Sequence, residues 1–241
     1  MANQLYLPFE QPALTGVPTA MYRHLWMFAN PQHLVTLHPF TITNVNVTPT
    51  IAAVGGRPAL QLAGAGAATD GSNFCYGTAA HRFVASKQTR FVFSWRAADA
   101  TNHAFAAGLS VVTTSLTADM DSGGTLPTNY LVINKIAGST VVRLRARKAS
   151  GTEESVALNF TPANDTWYDF DVLVDPSSTS GAGRVQIYLR TALGNPATVL
   201  DTTLGSQLPD TVSLSLALGM REGDTGVDST VFGHIGVEQA Y

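Results

Sequence analysis

Disulfide chemistry is the first thing this sequence lacks. Cys75 is its one cysteine, so no bridge can form within the chain, and the thiol is expected as a small buried core residue. Charge is scarce as well: 14 Lys and Arg against 17 Asp and Glu in 241 residues, a net of −3. That balance excludes a general electrostatic nucleic-acid binder, and no nucleic-acid partner is expected. No apolar run approaches the ~20 residues of a membrane-spanning helix, so no membrane partner is expected either. The start of the chain has no basic segment followed by an apolar one. A cleaved export signal is therefore not expected, and synthesis in a cytoplasm is.

Catalytic signatures are missing too. The six histidines, His24, His33, His38, His81, His103 and His234, fall at no metal-ligand spacing, and there is no Cys-x-x-Cys. A G-x-S-x-G elbow, a P-loop and a dinucleotide fingerprint are all absent. Asp119 and Asp121 share one loop, and Asp224 and Asp228 another, but calcium takes six to eight oxygens and neither loop supplies a full set. Asx-turn chemistry is the simpler account of these acids. No catalytic residue, cofactor site or metal site is expected.

Strand alternation is what the sequence does have, and it is clearest between Asn164 and Arg190. Tyr168, Phe170, Val172 and Val174 alternate with Trp167, Asp169, Asp171, Leu173 and Asp175. Val185, Ile187 and Leu189 alternate with Arg184, Gln186, Tyr188 and Arg190. A period of two means strands with one buried face. Pro176 cannot donate to a ladder and ends the first, and the polar loop from Ser177 to Gly183 makes the two antiparallel neighbours. Asp169 and Asp171 fall on the face expected to meet solvent.

The same reading predicts about twelve strands and no long helix. Phe91, Phe93 and Trp95 share one face of a strand from Arg90 to Arg96 and are expected in the core. Tyr130–Lys135 and Val141–Lys148 form a hairpin across Ala137, Gly138 and Ser139. Arg143, Arg145 and Arg147 line one face of its second strand, solvated or opposite an acidic neighbour such as Asp169 and Asp171. Thr41–Thr48 reads as one alternating run, and Gly55–Gly56 breaks the chain after it. Small residues at Ser213, Ser215, Ala217 and Gly219 predict close packing over that face. With no repeat at a fixed period, the expected fold class is all-β, a two-sheet antiparallel sandwich.

Residues 1–50 are expected to form an extended apolar arm, with the sandwich over 51–241. Pro8, Pro12, Pro18, Pro31, Pro39 and Pro49 exclude long regular elements there. Between Met1 and Ala80 the formally charged residues are Glu10, Arg23, Arg57 and Asp70, too few for a free surface. Leu5, Tyr6, Leu7, Phe9, Tyr22, Leu25, Trp26, Met27 and Phe28 make the arm a candidate assembly interface or a cap on the chain's own sandwich. Met21–Phe28 suits either two helical turns or a strand.

RPALQL at Arg57, TRFVFSWRAAD at Thr89, HAFAAGLSVV at His103, TWYDFDVLVDP at Thr166, GRVQIYL at Gly183 and STVFGHIGV at Ser229 together resemble the concanavalin-A-like, laminin-G-like jelly roll. The resemblance spans roughly three quarters of the chain. It implies a fold that serves lectins, glycosidases, adhesion modules and viral structural proteins alike. Glycosidases of this kind carry closely spaced Glu and Asp on one strand. Here Asp169 and Asp171 have no glutamate partner on theirs, and Glu153 and Glu154 adjoin a glycine turn. For a lectin, Tyr76, Tyr130, Tyr188 or Trp167 would be the stacking aromatic.

The composition, rich in Ala, Thr, Gly and Val, resembles tailed-phage structural proteins. The leading expectation is a non-enzymatic virion protein on the capsid surface, a decoration or cement protein. It would bind the major capsid protein or other virion subunits, as a homo-oligomer with three copies. The alternative is a glycan-binding module of a phage tail or surface protein.

Overall fold

Alternation sends polar and apolar side chains to opposite faces of a strand, and the computed structural model shows what each face meets. It describes residues 21–27, 40–45, 48–63, 71–76, 81–85, 87–111, 127–149, 151–176, 182–191, 196–221 and 229–240. These hold fifteen strands and no helix. In chain order they are β1 (Met21–Met27), β2 (Phe40–Val45), β3 (Thr48–Val54), β4 (Arg57–Ala63), β5 (Gly71–Tyr76), β6 (Thr89–Ala97), β7 (Ala104–Ser110) and β8 (Tyr130–Lys135). Then come β9 (Val142–Arg147), β10 (Glu154–Ala157), β11 (Tyr168–Pro176), β12 (Gly183–Thr191), β13 (Ala197–Leu204), β14 (Ser215–Arg221) and β15 (Ser229–Ala240).

The strands form two antiparallel sheets, as the alternation predicts. The eight-stranded sheet runs β13-β12-β11-β6-β15-β4-β3, with β1 also on β15; the seven-stranded sheet runs β10-β9-β8-β7-β14-β5-β2. β11 and β12 are antiparallel neighbours from Tyr168 opposite Thr191 to Pro176 opposite Gly183. The run expected as one strand from Thr41 is two. β2 pairs with β5 in one sheet, and β3 with β4 in the other. Both sheets share the same period, so alternation cannot reveal a crossing between them. Met21–Met27 is a strand, with Met21 opposite Ala240 and Met27 opposite His234.

Aromatic rings fill the space between the sheets. Phe93 stacks on Phe170 with centroids 4.5 Å apart, and Trp95 lies 4.4 Å from Phe105 of the opposite sheet. Trp95 is fully buried, and its Nε1 donates to Thr230 Oγ1 at 2.8 Å. An indole enters a core at little cost when its one donor is paired in this way.

β15 changes neighbours part-way along. Ser229–Phe232 pairs with β4 and His234–Ala240 with β1, and the register with β6 shifts between Phe232 and Ile235. Released from β15, the tip of the β3–β4 hairpin reaches across the outer face to β11. Trp167 Nε1 donates to the Val54 carbonyl at 3.2 Å, and Arg57 bonds Asp169 at 2.8 Å. Gly55 and Gly56 turn the tip at φ +57° and +76°, and a Cβ on Gly55 would stand 2.9 Å from Trp167 Nε1. Ala59, Trp167, Val231 and Val54 pack into a small second core beneath it.

At one end of the sandwich Lys135 is fully buried. Its ammonium donates to the carbonyls of Thr101 at 2.7 Å, His103 at 2.6 Å and Ile136 at 3.2 Å, which ties the turn before β7 to the turn after β8. Burial, partly offset by Asp99, pulls its pKa from 10.5 to about 8. Between these two values the unfolded chain holds a proton that the folded chain has released. The contribution of this group to stability therefore rises with pH across that window.

Gly108→Ala places a Cβ 2.4 Å from the Leu131 carbonyl of the next strand and costs about 3 kcal/mol in urea unfolding, whereas Gly138→Ala, with open space around it, costs about 1 kcal/mol. Lys135→Met leaves three carbonyls unpaired and costs about 3 kcal/mol at pH 7; between pH 8 and 10 the urea midpoint of the variant lacks the rise that the parent chain gains from Lys135.

Candidate functional site

Charged side chains concentrate on the outer face of each sheet, and the two clusters differ in access. On the eight-stranded sheet Asp169 and Asp171 are 1% and 6% exposed, which overturns their assignment to solvent. The covering is physical: Arg57 comes over on the hairpin tip to bond Asp169. Arg90 of β6 meets Asp171 through two bonds of 2.7 and 2.5 Å and stands 3.7 Å from Glu238. Burial opposes the charge on Arg90, but its carboxylate partners raise its pKa above the ordinary value. Ser94 Oγ accepts from the His234 backbone N–H at 3.1 Å and lies 3.1 Å from its Nδ1. Burial pulls the imidazole pKa down and so favours the neutral ring. The two aspartates of this cluster are thus paired and buried.

The cluster on the seven-stranded sheet is open. It is a cleft of about 240 Å³ lined by Asn134, Ile136, Val141, Arg143, Arg145, Glu153 and Ser155. Register builds it. On β9 the sequence VRLRAR sends Val142, Leu144 and Ala146 into the core and the three arginines outward. β8 sets Asn134 opposite Arg143, and β10 sets Ser155 opposite Arg145. The turn at Gly151 then brings Glu153 back over Arg145.

Arg145 Nε and Nη2 donate to the two oxygens of Glu153 at 2.8 and 2.7 Å, and Nη1 reaches Asn134 Oδ1 at 3.4 Å. The Tyr130 hydroxyl donates to the same carboxylate. Burial pushes the Glu153 carboxyl up, but the bonds from Arg145 and Tyr130 and the charges of Arg145 and Arg147 outweigh it and hold the pKa below 4.5. Burial, with the neighbouring Glu153 charge, raises the Tyr130 phenol well above its ordinary 10. Arg147 Nε donates to the Gly151 carbonyl at 3.0 Å. Arg143 is exposed and has no hydrogen-bond or ion-pair partner among the described residues. Ile136 and Val141 form an apolar lip.

The acidic partner of the arginine face is thus Glu153, across one tight turn, and not Asp169 and Asp171, which lie on the other sheet. The signal was legible: KASGTEE after the arginine strand is a hairpin connection that folds an acid back onto that face. The stacking aromatics expected for a lectin are not in the cleft. Tyr130 is fully buried, Trp167 is held under the hairpin, and Tyr188 lies on β12; the side chain of Tyr76 is outside the described residues. Of the arm residues, Tyr22, Leu25, Trp26 and Met27 lie on β1, where the backbone alone is described. Leu5, Tyr6, Leu7, Phe9 and Phe28 lie outside the described residues, as do Asp119, Asp121, Asp224 and Asp228. No group of three metal-ligating side chains occurs among the described residues.

No protein-family model and no curated protein matches the sequence. Solved structures do match in fold. Arcelin-5, a lectin-like defense protein from Phaseolus vulgaris, is 10% identical with a TM-score of 0.58, over 92% of this chain and 99% of that one. Peanut lectin is 11% identical with a TM-score of 0.60, over 92% and 98%. The endo-1,3-beta-glucanase from Streptomyces sioyaensis is 11% identical with a TM-score of 0.55, over 92% and 98%. The chain has the concanavalin-A-like sandwich fold, with neighbours that are mostly lectins. None of the three is a virion protein, so the expected link to phage proteins has no support from them.

Glu153→Gln leaves the Arg145 guanidinium without its counter-charge and costs about 1–3 kcal/mol at pH 7. Because the folded carboxyl titrates below 4.5, its contribution is present above that pH and is lost as pH falls through the folded value. Acid unfolding followed by tryptophan fluorescence shows that loss in the parent chain and a smaller one in the variant.

Proposed function

We propose that this chain is a non-catalytic saccharide-binding module whose ligand lies in the cleft on the outer face of the seven-stranded sheet. One observation carries the reading. The cleft is an open concavity whose largely apolar wall carries a few polar groups, and the single carboxylate among its lining residues is already locked. A glycosidase needs two carboxyl groups flanking the bond, one protonated at working pH. Glu153 has no second acid beside it in the cleft, and Arg145 with Tyr130 holds it ionised. Binding asks less of the same wall: the polar groups of Arg143 and Ser155 over a floor fixed by Asn134, Arg145 and Glu153, around a space the size of one sugar ring. The predominance of lectins among the fold neighbours supports this choice over hydrolysis.

The capsid-decoration role rests on composition and on the charge-poor first third of the chain. The geometry of the sandwich adds nothing to it, so the saccharide reading takes precedence.

A glycan array followed by calorimetry tests the proposal. Selective binding to a subset of glycans is expected. Ser155→Trp, which fills the cleft from an exposed position, abolishes binding while the melting temperature stays within about 2 °C of the parent chain. Silence across the array, or binding unaffected by Ser155→Trp, overturns it.

A further inference from the structure

We infer that the saccharide is an anionic one, carrying a carboxylate or sulfate, and that Arg143 is the residue that reads the charge. This rests on the saccharide reading of the cleft and narrows its ligand class. Three guanidinium groups, Arg143, Arg145 and Arg147, project from one strand; two of them, Arg143 and Arg145, line the cleft, where one carboxylate, Glu153, answers them. In a chain of net charge −3, this is a local excess of positive charge in a concave site, where low-dielectric walls concentrate the field.

The three arginines are not equivalent. Arg145 spends its fork on Glu153, and Arg147 bonds the Gly151 carbonyl. Arg143 has no partner among the described residues and lines the cleft beside Asn134, its cross-strand neighbour. A planar five-donor fork at a cleft wall suits a carboxylate or sulfate, which it meets with two parallel bonds. The Arg145–Glu153 pair and the Asn134 amide beneath it stiffen the floor, so the geometry is set before a ligand arrives.

The second observation concerns what the cleft does not offer. Its lining residues include no aromatic side chain, and the exposed large hydrophobic residues among those described are Val84 and Val141. A neutral sugar would find no ring face to stack on. Charge-assisted bonds remain as the main source of affinity, and an anionic group on the sugar supplies their other half.

Affinity electrophoresis in gels containing polygalacturonate, a sulfated galactan or a neutral glucan tests this. The expected result is retardation by one or both acidic chains and at least tenfold weaker retardation by the neutral one. The acidic effect falls steeply between 50 and 300 mM NaCl. Arg143→Ala weakens acidic binding at least tenfold with an unchanged melting temperature, because Arg143 is exposed and bonds nothing among the described residues. Arg184→Gln, the same change of net charge on the other sheet, leaves binding within twofold. Which acidic chain binds separates carboxylate from sulfate recognition. Equal retardation by the neutral glucan, or an Arg143→Ala variant that binds as the parent does, overturns this inference and leaves the saccharide module intact. Retardation by polyglutamate as strong as by the acidic glycans also overturns it, since charge alone would then be recognised. No retardation by any of the three polysaccharides, joined to silence on the array, removes the saccharide reading itself.

Discussion

The aromatic layer between the sheets is the interaction on which the rest of this molecule hangs. Phe93 stacks on Phe170 within the eight-stranded sheet, Phe105 of the seven-stranded sheet meets Trp95, Phe93 and Phe170 across the gap, and each ring also fixes the register of its own strand. A slip of one residue would send Phe170 outward and bury Asp169 or Asp171 among those rings. Because that exchange is so costly, the outward positions are settled along with the inward ones. The clusters on the two outer faces are consequences of how the core is packed.

What happens on an outer face is a separate matter, decided by what lies over it. On the eight-stranded sheet the β3–β4 hairpin leaves the plane and lays Arg57 against Asp169, and Trp167 holds it by a bond to Val54. Charges that alternation assigns to water become partners under cover. On the seven-stranded sheet a tight turn at Gly151 returns Glu153 to Arg145, but nothing among the described residues closes the space beside Arg143. The two faces have the same chemistry of guanidinium and carboxylate. One is spent on holding a hairpin, and the other keeps a cation for something else.

That contrast bears on the choice between catalysis and binding. The fold is shared by lectins and by a glucanase, so architecture alone does not separate them. The local electrostatics do. A carboxylate receiving three hydrogen bonds, two of them from a guanidinium, is a stable anion and a poor proton donor at neutral pH. Lys135 shows the same economy at the end of the sandwich, where a buried ammonium is divided among three carbonyls and steadies the turn that carries the cleft's apolar lip.

Period-two alternation, Pro176, the glycine turns and the aromatic faces of Phe91–Trp95 and Tyr168–Val174 were enough to read an all-β two-sheet sandwich and most of its strands from the chain. Those signals are local, set by neighbours one or two residues away, and they survive into the fold. The crossing between β2 and β3, the bulge in β15 and the hairpin lying over Asp169 were settled only in three dimensions. Each depends on which surface arrives from a distant part of the chain, and alternation gives the same pattern whether a polar face meets water, a hairpin or a ligand.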